Sequence, residues 1–247
     1  MRSKTLRALA EITAYQWGMV TSAQAGLHGV SRLDLSRLAA DGLLERVMHG
    51  VYKHTGTPTD ELEYTRAAWL STDPKRLAYE RGKNDHAAVV CAGASAARLH
   101  RISDLWDDYF DFITPVRRQS QRGNIRYRKR PINPENVTRV AGLLTLTIEA
   151  TIADLVEVAG DLTLVAGALR DARPKSTFNY AQLSSLLGPV ADRGGFEKGD
   201  GAAMLHRLSE LAGIDRADPL QYLDTSASSS EPAEVARQVV KQDSFRG

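Results

Sequence analysis

Mostly apolar positions recur at helical spacing over the first seventeen residues. Five of them share one helical face: Leu6, Leu9, Ala10, Thr13 and Trp17. This spacing predicts an amphipathic helix from Lys4 to Trp17, which Gly18 ends.

Two shorter helices are predicted next, and each begins with a capping box. Thr21 is followed by Gln24, and Ser31 is followed by Asp34, each at the distance that lets two side chains satisfy free backbone N–H groups at a helix start. Glycines at positions 29 and 42 provide C-terminal stops. Two short helices joined by a tight, glycine-containing turn predict a helix-turn-helix.

Short β-prone runs at 43–47 and 51–54 flank Met48-His49-Gly50 and predict a hairpin. A helix, a helix-turn-helix and a hairpin, in this order, are typical of a winged helix. The rest of the chain mixes strands, such as Tyr109–Thr114, with helices after Arg173. We therefore expect an α+β protein, in which an N-terminal winged helix-turn-helix is followed by a larger mixed α/β domain with a helical C-terminal part. The predicted domains are 1–56 and 57–224, followed by a mobile tail at 225–247.

The outward face of the third helix carries side chains that no core needs. Arginine can pair with guanine edges, serine with bases or phosphate, and leucine with a thymine methyl. Residues 1–54 hold seven Lys/Arg against four Asp/Glu, although the alternative of a merely solvated helix face stays open. The candidate DNA-binding residues are Thr21, Ser22, Gln24, Ser31, Arg32, Leu33, Ser36, Arg37, Arg46, His49 and Lys53.

A second basic segment lies at 115–131, with seven basic residues and no acid. Arginines alternate with Ile125 and Tyr127, so a strand here would place a row of guanidinium groups on one face. The row fits an edge strand protected by its own charge. It fits equally a phosphate-contacting surface or a site for an acidic partner. The residues of this possible second basic surface are Arg117, Arg118, Arg122, Arg126, Arg128 and Arg130.

Several features that suggest an enzyme have simpler explanations. The sequence around Ser95 lacks the last glycine of a nucleophile elbow, and a small-residue helix start explains it better. An acidic group, Asp104, Asp107, Asp108 and Asp111, is predicted to be a solvated face. The six histidines show no metal-ligand spacing. We predict no catalytic activity, no cofactor and no metal.

Neither a disulfide nor a membrane location is expected. Cys91 is the single cysteine and lies in an apolar run, so we expect a small buried side chain. No apolar run approaches the ~18 residues of a membrane span. We predict a cytoplasmic protein with no membrane partner.

The segments Gly29–Leu38 and Gly42–Tyr52 resemble the N-terminal winged helix of AbiEi antitoxins, which belong to abortive-infection (type IV) toxin–antitoxin operons. Ala92–His100 and Gly142–Thr147, leading into 152–155, are similar to the second domain of that family. The resemblance covers residues 1 to about 172. The chain departs from it at 148–151, Ile-Glu-Ala-Thr, where proline and arginine would be expected.

The resemblance implies an antitoxin that represses its own operon by binding inverted repeats in promoter DNA. It also implies that the cognate toxin is a nucleotidyltransferase, and that neutralisation does not require stable toxin binding. Two alternatives stay open: a free-standing regulator with a ligand-sensing domain, and an antitoxin that sequesters its toxin directly.

Overall fold

A computed structural model describes residues 2–103 and 108–214 and contains both helices and strands. The helices are α1 (Arg2–Thr13), α2 (Ser22–Leu27), α3 (Arg32–Ala40), α4 (Glu63–Thr72), α5 (Gly93–His100), α6 (Ile148–Ala159), α7 (Leu162–Ala172), α8 (Tyr180–Leu187) and α9 (Gly201–Leu211). The strands are β1 (Met19–Thr21), β2 (Leu44–Met48), β3 (Val51–His54), β4 (Val90–Cys91), β5 (Phe110–Thr114), β6 (Ile125–Lys129), β7 (Val137–Val140) and β8 (Leu143–Leu146).

The N-terminal module, residues 2–54, packs α1, α2 and α3 against a three-stranded antiparallel sheet of order β1-β3-β2. Its own core consists of Leu9, Ile12, Val20, Ala25, Val30, Leu35, Leu38, Leu44 and Tyr52. The predicted α2, α3 and β2–β3 hairpin are confirmed. Strand β1 was not predicted, because three residues are too short to show a period.

Helix α1 ends at Thr13, four residues before the predicted end. The chain turns there through Trp17 and Gly18, with φ of 58° and 71°. A side chain at Gly18 would lie 2.1 Å from Oγ1 of Thr57, so only glycine fits this close approach. The Trp17 side chain packs edge-on against Trp69, at 6.5 Å between ring centroids, and leaves the face of α1.

Helix α4 begins at Glu63 rather than at the predicted Thr57-Pro58-Thr59-Asp60 start. Thr59 Oγ1 accepts a hydrogen bond from Lys53 Nζ at 2.7 Å. Asp60 accepts from Arg66 Nη1 at 2.6 Å and from the backbone of Leu62. The side chains of Thr59 and Asp60 thus bind nearby residues, and the N-cap of α4 is Leu62, which makes no side-chain cap hydrogen bond.

A five-stranded sheet of order β6-β5-β4-β8-β7 forms the centre of the second part. Strand β4 pairs parallel with β8 and antiparallel with β5, and β6 adds parallel to β5 as an edge strand. Cys91 is fully buried in β4, as predicted, and burial raises the pKa of its thiol. Helices α5 to α9 enclose a second core, and the predicted helical character after residue 173 is confirmed there.

The N-terminal module shares a core with the second part of the chain. Met19 and Val51 pack in one buried cluster with Trp69 of α4 and with the sheet strands. A side chain at Gly142, in the β7–β8 turn, would lie 2.6 Å from the Trp17 ring. The domain limits at 56 and 224 stay a prediction, and the predicted tail at 225–247 lies outside the described residues.

Candidate nucleic-acid interface

Both predicted capping boxes are present, one at the start of α2 and one at the start of α3. The Thr21 hydroxyl accepts from Gln24 N, and the Ser31 hydroxyl accepts from Asp34 N at 3.1 Å. The Asp34 carboxylate in turn accepts from Ser31 N at 3.1 Å and from the Ser31 hydroxyl at 2.6 Å. These hydrogen bonds from Ser31 lower the pKa of Asp34. The Ser31 hydroxyl is thereby engaged in starting α3.

Helix α3 presents the predicted side chains to solvent. Arg32, Leu33, Ser36 and Arg37, which we call the reading face, are all exposed, while Leu35 and Leu38 on the opposite side are buried. Leu33 is 59% exposed, although it is a large apolar residue. This exposure is what a helix that meets the edges of bases requires.

The β2–β3 hairpin projects beside this helix, and its Arg46 and His49 are both exposed. Arg46 Nη2 lies 2.7 Å from His49 Nδ1. Since a guanidinium only donates, Nδ1 accepts, and the His49 ring proton is then on Nε2. The hairpin turn is held to α2 by a hydrogen bond of 2.9 Å from Ser22 N to Gly50 O.

A cleft of about 380 Å³ lies where α2, α3, the hairpin and the second part meet. It brings together six of the predicted residues: Ser22, Arg32, Ser36, Arg46, His49 and Arg122. Its described lining contains three arginines and no carboxylate. Such a surface attracts phosphate groups, and hydroxyl groups beside them can donate to phosphate oxygens.

The region with this geometry is also the region that matches a known family. Residues 7–52 match the sequence model of a family described as transcriptional regulator, AbiEi antitoxin. The match confirms the predicted AbiEi resemblance over the N-terminal module and covers α2, α3 and most of the hairpin. No curated protein matches the chain.

Three of the predicted DNA contacts are wrong, and two of these, Thr21 and Gln24, lie within the AbiEi match. Both are buried. The side-chain oxygen of Gln24, Oε1, accepts hydrogen bonds from Thr21 N at 2.9 Å and from Gln16 Nε2 at 2.7 Å. Its side-chain nitrogen, Nε2, donates to Arg76 O at 2.8 Å. The Thr21 hydroxyl donates to Pro74 O. These side chains join the AbiEi-like module to the second part and are not available to DNA.

Lys53 is the third wrong assignment. Its side chain points from the central strand β3 toward α4 and is 2% exposed. The ammonium donates to Glu63, with Glu45 at 3.5 Å. Burial lowers the pKa of Lys53, but the hydrogen bond and charge of Glu63, together with Glu45, outweigh burial and raise it overall. The lysine is therefore a buried ion-pair partner.

Three arginines of the possible second basic surface are also paired internally. Arg126 and Arg128 contact the buried Asp111 at 2.9 Å and 3.1 Å. Arg128 binds Asp154 through two bonds of 2.7 Å and 2.5 Å, and Arg130 pairs with Asp154 and Glu157. We call this the arginine network: Arg126, Arg128, Arg130, Asp111, Asp154 and Glu157. The predicted row of guanidinium groups is present on β6, which is an edge strand as one alternative had it, but the row is paired with carboxylates of the same chain.

In the network, pairing with carboxylates affects the pKa of Arg128 more than burial does. Burial would lower the pKa of Arg128, but the hydrogen bonds and charges of Asp154 and Asp111 raise it above its ordinary value. Gly93 N at the start of α5 also donates to Asp154 at 2.8 Å, and the Ser95 hydroxyl accepts from Asp111 N at 2.9 Å. The predicted solvated face is wrong for Asp111; Asp108 is exposed, and Asp104 and Asp107 lie outside the described residues. Ser95 serves the network.

The remaining arginines of that segment have separate surroundings. Arg117 is exposed. Arg118 donates to Thr72 O, at 2.6 Å, and to Ala87 O. Arg122 reaches the hairpin, where its Nη2 lies 2.8 Å from His49 O. The sequence carries no local signal for these contacts, since each joins segments more than thirty residues apart.

Among the described residues, no group of His, Cys, Asp and Glu side chains is arranged to hold a metal ion. Within the same residues, no helix has both the length and the apolar character of a membrane span.

Proposed function

We propose that residues 2–54 form a winged helix-turn-helix and that the chain is a DNA-binding transcriptional regulator. The observation that carries this proposal is the coincidence of the AbiEi family match at 7–52 with the exposed reading face on α3. In this arrangement α3 enters the major groove, and the β2–β3 hairpin is the wing beside it.

The reading face and the wing have different roles. Arg32 and Arg37 contact base edges, with Ser36 and Leu33 between them, because these side chains have no core to serve. Arg46 and His49 on the wing contact the phosphate backbone, together with Ser22 at the cleft. In the second segment, Arg117 is exposed and stays available for a direct phosphate contact.

We further propose that the chain is the antitoxin of a type IV pair and represses its own operon through inverted repeats. The family described for residues 7–52 supports an antitoxin and regulator role. The partner in this proposal is a nucleotidyltransferase toxin, which the antitoxin counteracts without having to bind it stably. We propose that the chain is not an enzyme.

A mobility-shift assay with the chain's own promoter tests the regulator role. The expected result is a shifted complex that a shuffled duplex of equal length does not displace. Growth of cells that express the adjacent toxin gene tests the antitoxin role, and the expected result is rescue by this chain.

The two assays separate the alternatives. DNA binding without rescue would favour a free-standing regulator. Rescue accompanied by co-purification of the two proteins would favour direct sequestration. Absence of specific DNA binding would refute the regulator proposal itself.

A further inference from the structure

The turn of the β2–β3 hairpin depends on donors from outside the hairpin. The β2–β3 register shifts between Arg46 and Met48, and Gly50 in the turn has a φ of 75°. A register shift of this kind disrupts the ladder locally, so inter-strand hydrogen bonds hold this end of the hairpin less firmly than a regular ladder would. The carbonyl groups of its turn accept hydrogen bonds from outside the hairpin: Gly50 O from Ser22 N, and His49 O from a side chain of the second part.

One of these donors comes from the second part of the chain. Arg122 places Nη2 at 2.8 Å from His49 O and Nη1 at 3.3 Å from Met48 Sδ. The backbone of Arg122 is itself fixed, because its N–H donates to Ser120 Oγ at 3.0 Å and its carbonyl accepts from Ile125 N at 3.2 Å. The guanidinium is therefore presented to the hairpin from a structured turn.

The contact continues from the hairpin turn to the proposed DNA surface. His49 receives Arg122 on its backbone carbonyl and Arg46 on its ring, where Nη2 of Arg46 lies 2.7 Å from Nδ1. Arg46 is exposed and lines the cleft beside Arg32. The contacts thus lead from the Arg122 guanidinium, through the backbone and ring of His49, to the Arg46 guanidinium at the proposed DNA surface.

We propose that Arg122 is a positioning residue for operator binding: it holds the hairpin turn and thereby orients Arg46. This inference rests on the proposed DNA-binding function. It gives the second part of the chain control over the wing, because any movement of the 118–122 segment changes the support of His49. The competing hypothesis is that Arg122, which also lines the cleft, contacts a phosphate itself.

Replacement of Arg122 by lysine distinguishes these two hypotheses. Arg122→Lys keeps the positive charge but cannot reproduce the two-nitrogen contact with His49 O and Met48 Sδ. If Arg122 positions the wing, Arg122→Lys weakens operator binding as much as Arg122→Met does, by about five-fold for the loss of one hydrogen bond. Wild-type affinity in Arg122→Lys would overturn the proposal, because charge alone would then be sufficient.

A double-mutant cycle with Arg46 provides the second test. In the Arg46→Gln background, Arg122→Met is expected to cause a smaller loss of affinity than in wild type and no further change in the salt dependence. An equal loss in both backgrounds, with the slope of log affinity against log salt falling by about 0.9 each time, would show a direct phosphate contact and overturn the proposal. The control is Arg193→Met, which removes an exposed arginine remote from the cleft and should leave affinity unchanged.

Hydrogen exchange of the free protein tests the contact without any DNA. Backbone amides at 48–51 should exchange faster in Arg122→Lys than in wild type, while amides of α9 should be unchanged. Unchanged exchange at the hairpin would overturn the proposal even if operator binding is confirmed. Conversely, the wild-type protein could fail to bind DNA while amides 48–51 exchange faster in Arg122→Lys. That result would refute the proposed function but would still establish that Arg122 supports the hairpin.

Discussion

Two sets of arginines in this chain have the same chemistry but opposite surroundings. Arg32, Arg37 and Arg46 are exposed and, within residues 2–103 and 108–214, form no ion pair. Arg126, Arg128 and Arg130 alternate along β6 and are paired with the carboxylates of the arginine network. The first set can still neutralise a ligand, whereas the charge of the second set is already compensated by the fold.

The difference shows that density of positive charge does not identify a nucleic-acid surface. The segment 115–131 is the more basic by sequence, yet two buried aspartates from other elements neutralise its strand. The N-terminal module has only a small basic excess, but its core leaves the reading face without any internal task. What decides the role of an arginine here is the nearest carboxylate in space.

The largest expected effect comes from breaking the arginine network. Asp154→Ala removes one of the two carboxylates that Arg128 and Arg130 each contact, together with the acceptor of the Gly93 N–H, and should lower the free energy of unfolding by about 3 kcal/mol, the low end for a broken buried ion pair. Denaturant unfolding measures this loss. Asp192→Ala, at an exposed carboxylate, should change stability by no more than about 0.5 kcal/mol. Equal effects of the two variants would show that the network is not structural.

Removal of a reading-face arginine should affect binding instead of folding. Arg32→Ala and Arg37→Ala are each expected to weaken operator binding by about 1–3 kcal/mol, because a base contact is lost. Their unfolding free energies should stay at the wild-type value. Titration of operator and shuffled duplexes measures the first effect, and Arg193→Ala is the matched control. Unchanged operator affinity in both variants would remove α3 from the proposed interface.

A smaller effect distinguishes a phosphate-contacting arginine from a network arginine. Arg46→Gln should reduce the slope of log affinity against log salt by about 0.9, since one phosphate contact is lost. Arg126→Gln should leave that slope unchanged, because its guanidinium is paired with Asp111. Binding isotherms at several salt concentrations provide the comparison. A reduced slope in Arg126→Gln would assign DNA contacts to β6 after all.

The smallest expected effect concerns the part-buried imidazole of His100. His100 is part-buried, with Nε2 at 2.6 Å from Leu146 O, and burial lowers its pKa below the ordinary 6.5. As the pH falls below 6.5, the unfolded chain takes up the proton first, so this contribution to stability is present above 6.5 and is lost toward the lower folded pKa. Unfolding free energies measured across this range should fall more steeply in wild type than in His100→Gln. Identical pH profiles would contradict the assignment.

The sequence was sufficient for the parts of the fold that depend on local chemistry. The capping boxes at Thr21 and Ser31 predicted both helix starts, because their hydrogen bonds join residues three apart. The exposure of Arg32, Leu33, Ser36 and Arg37 followed from helical spacing against Leu35 and Leu38. These assignments need no knowledge of distant segments.

The wrong assignments of site residues involve partners from elsewhere in the chain. Lys53 on a short strand looked like a hairpin-edge lysine, but Glu63 of α4 covers it. Gln24 was expected at the DNA surface, yet its side chain is buried and donates to Arg76 O in the second part of the chain. Asp111 appeared to belong to a solvated acidic group, and only the arginines of β6 explain its burial. The spacing of apolar residues predicts which face of a helix or strand is buried in the local core. It does not predict whether a distant segment covers the other face.

The most direct test of the account is a pair of binding isotherms on the chain's own promoter and on a shuffled duplex of equal length and composition. Wild type is expected to prefer the promoter, and the Arg32→Ala/Arg37→Ala double variant, with unchanged unfolding free energy, is expected to bind both duplexes with the same reduced affinity. Full promoter preference in that folded double variant would contradict the assignment of α3 as the element that reads DNA.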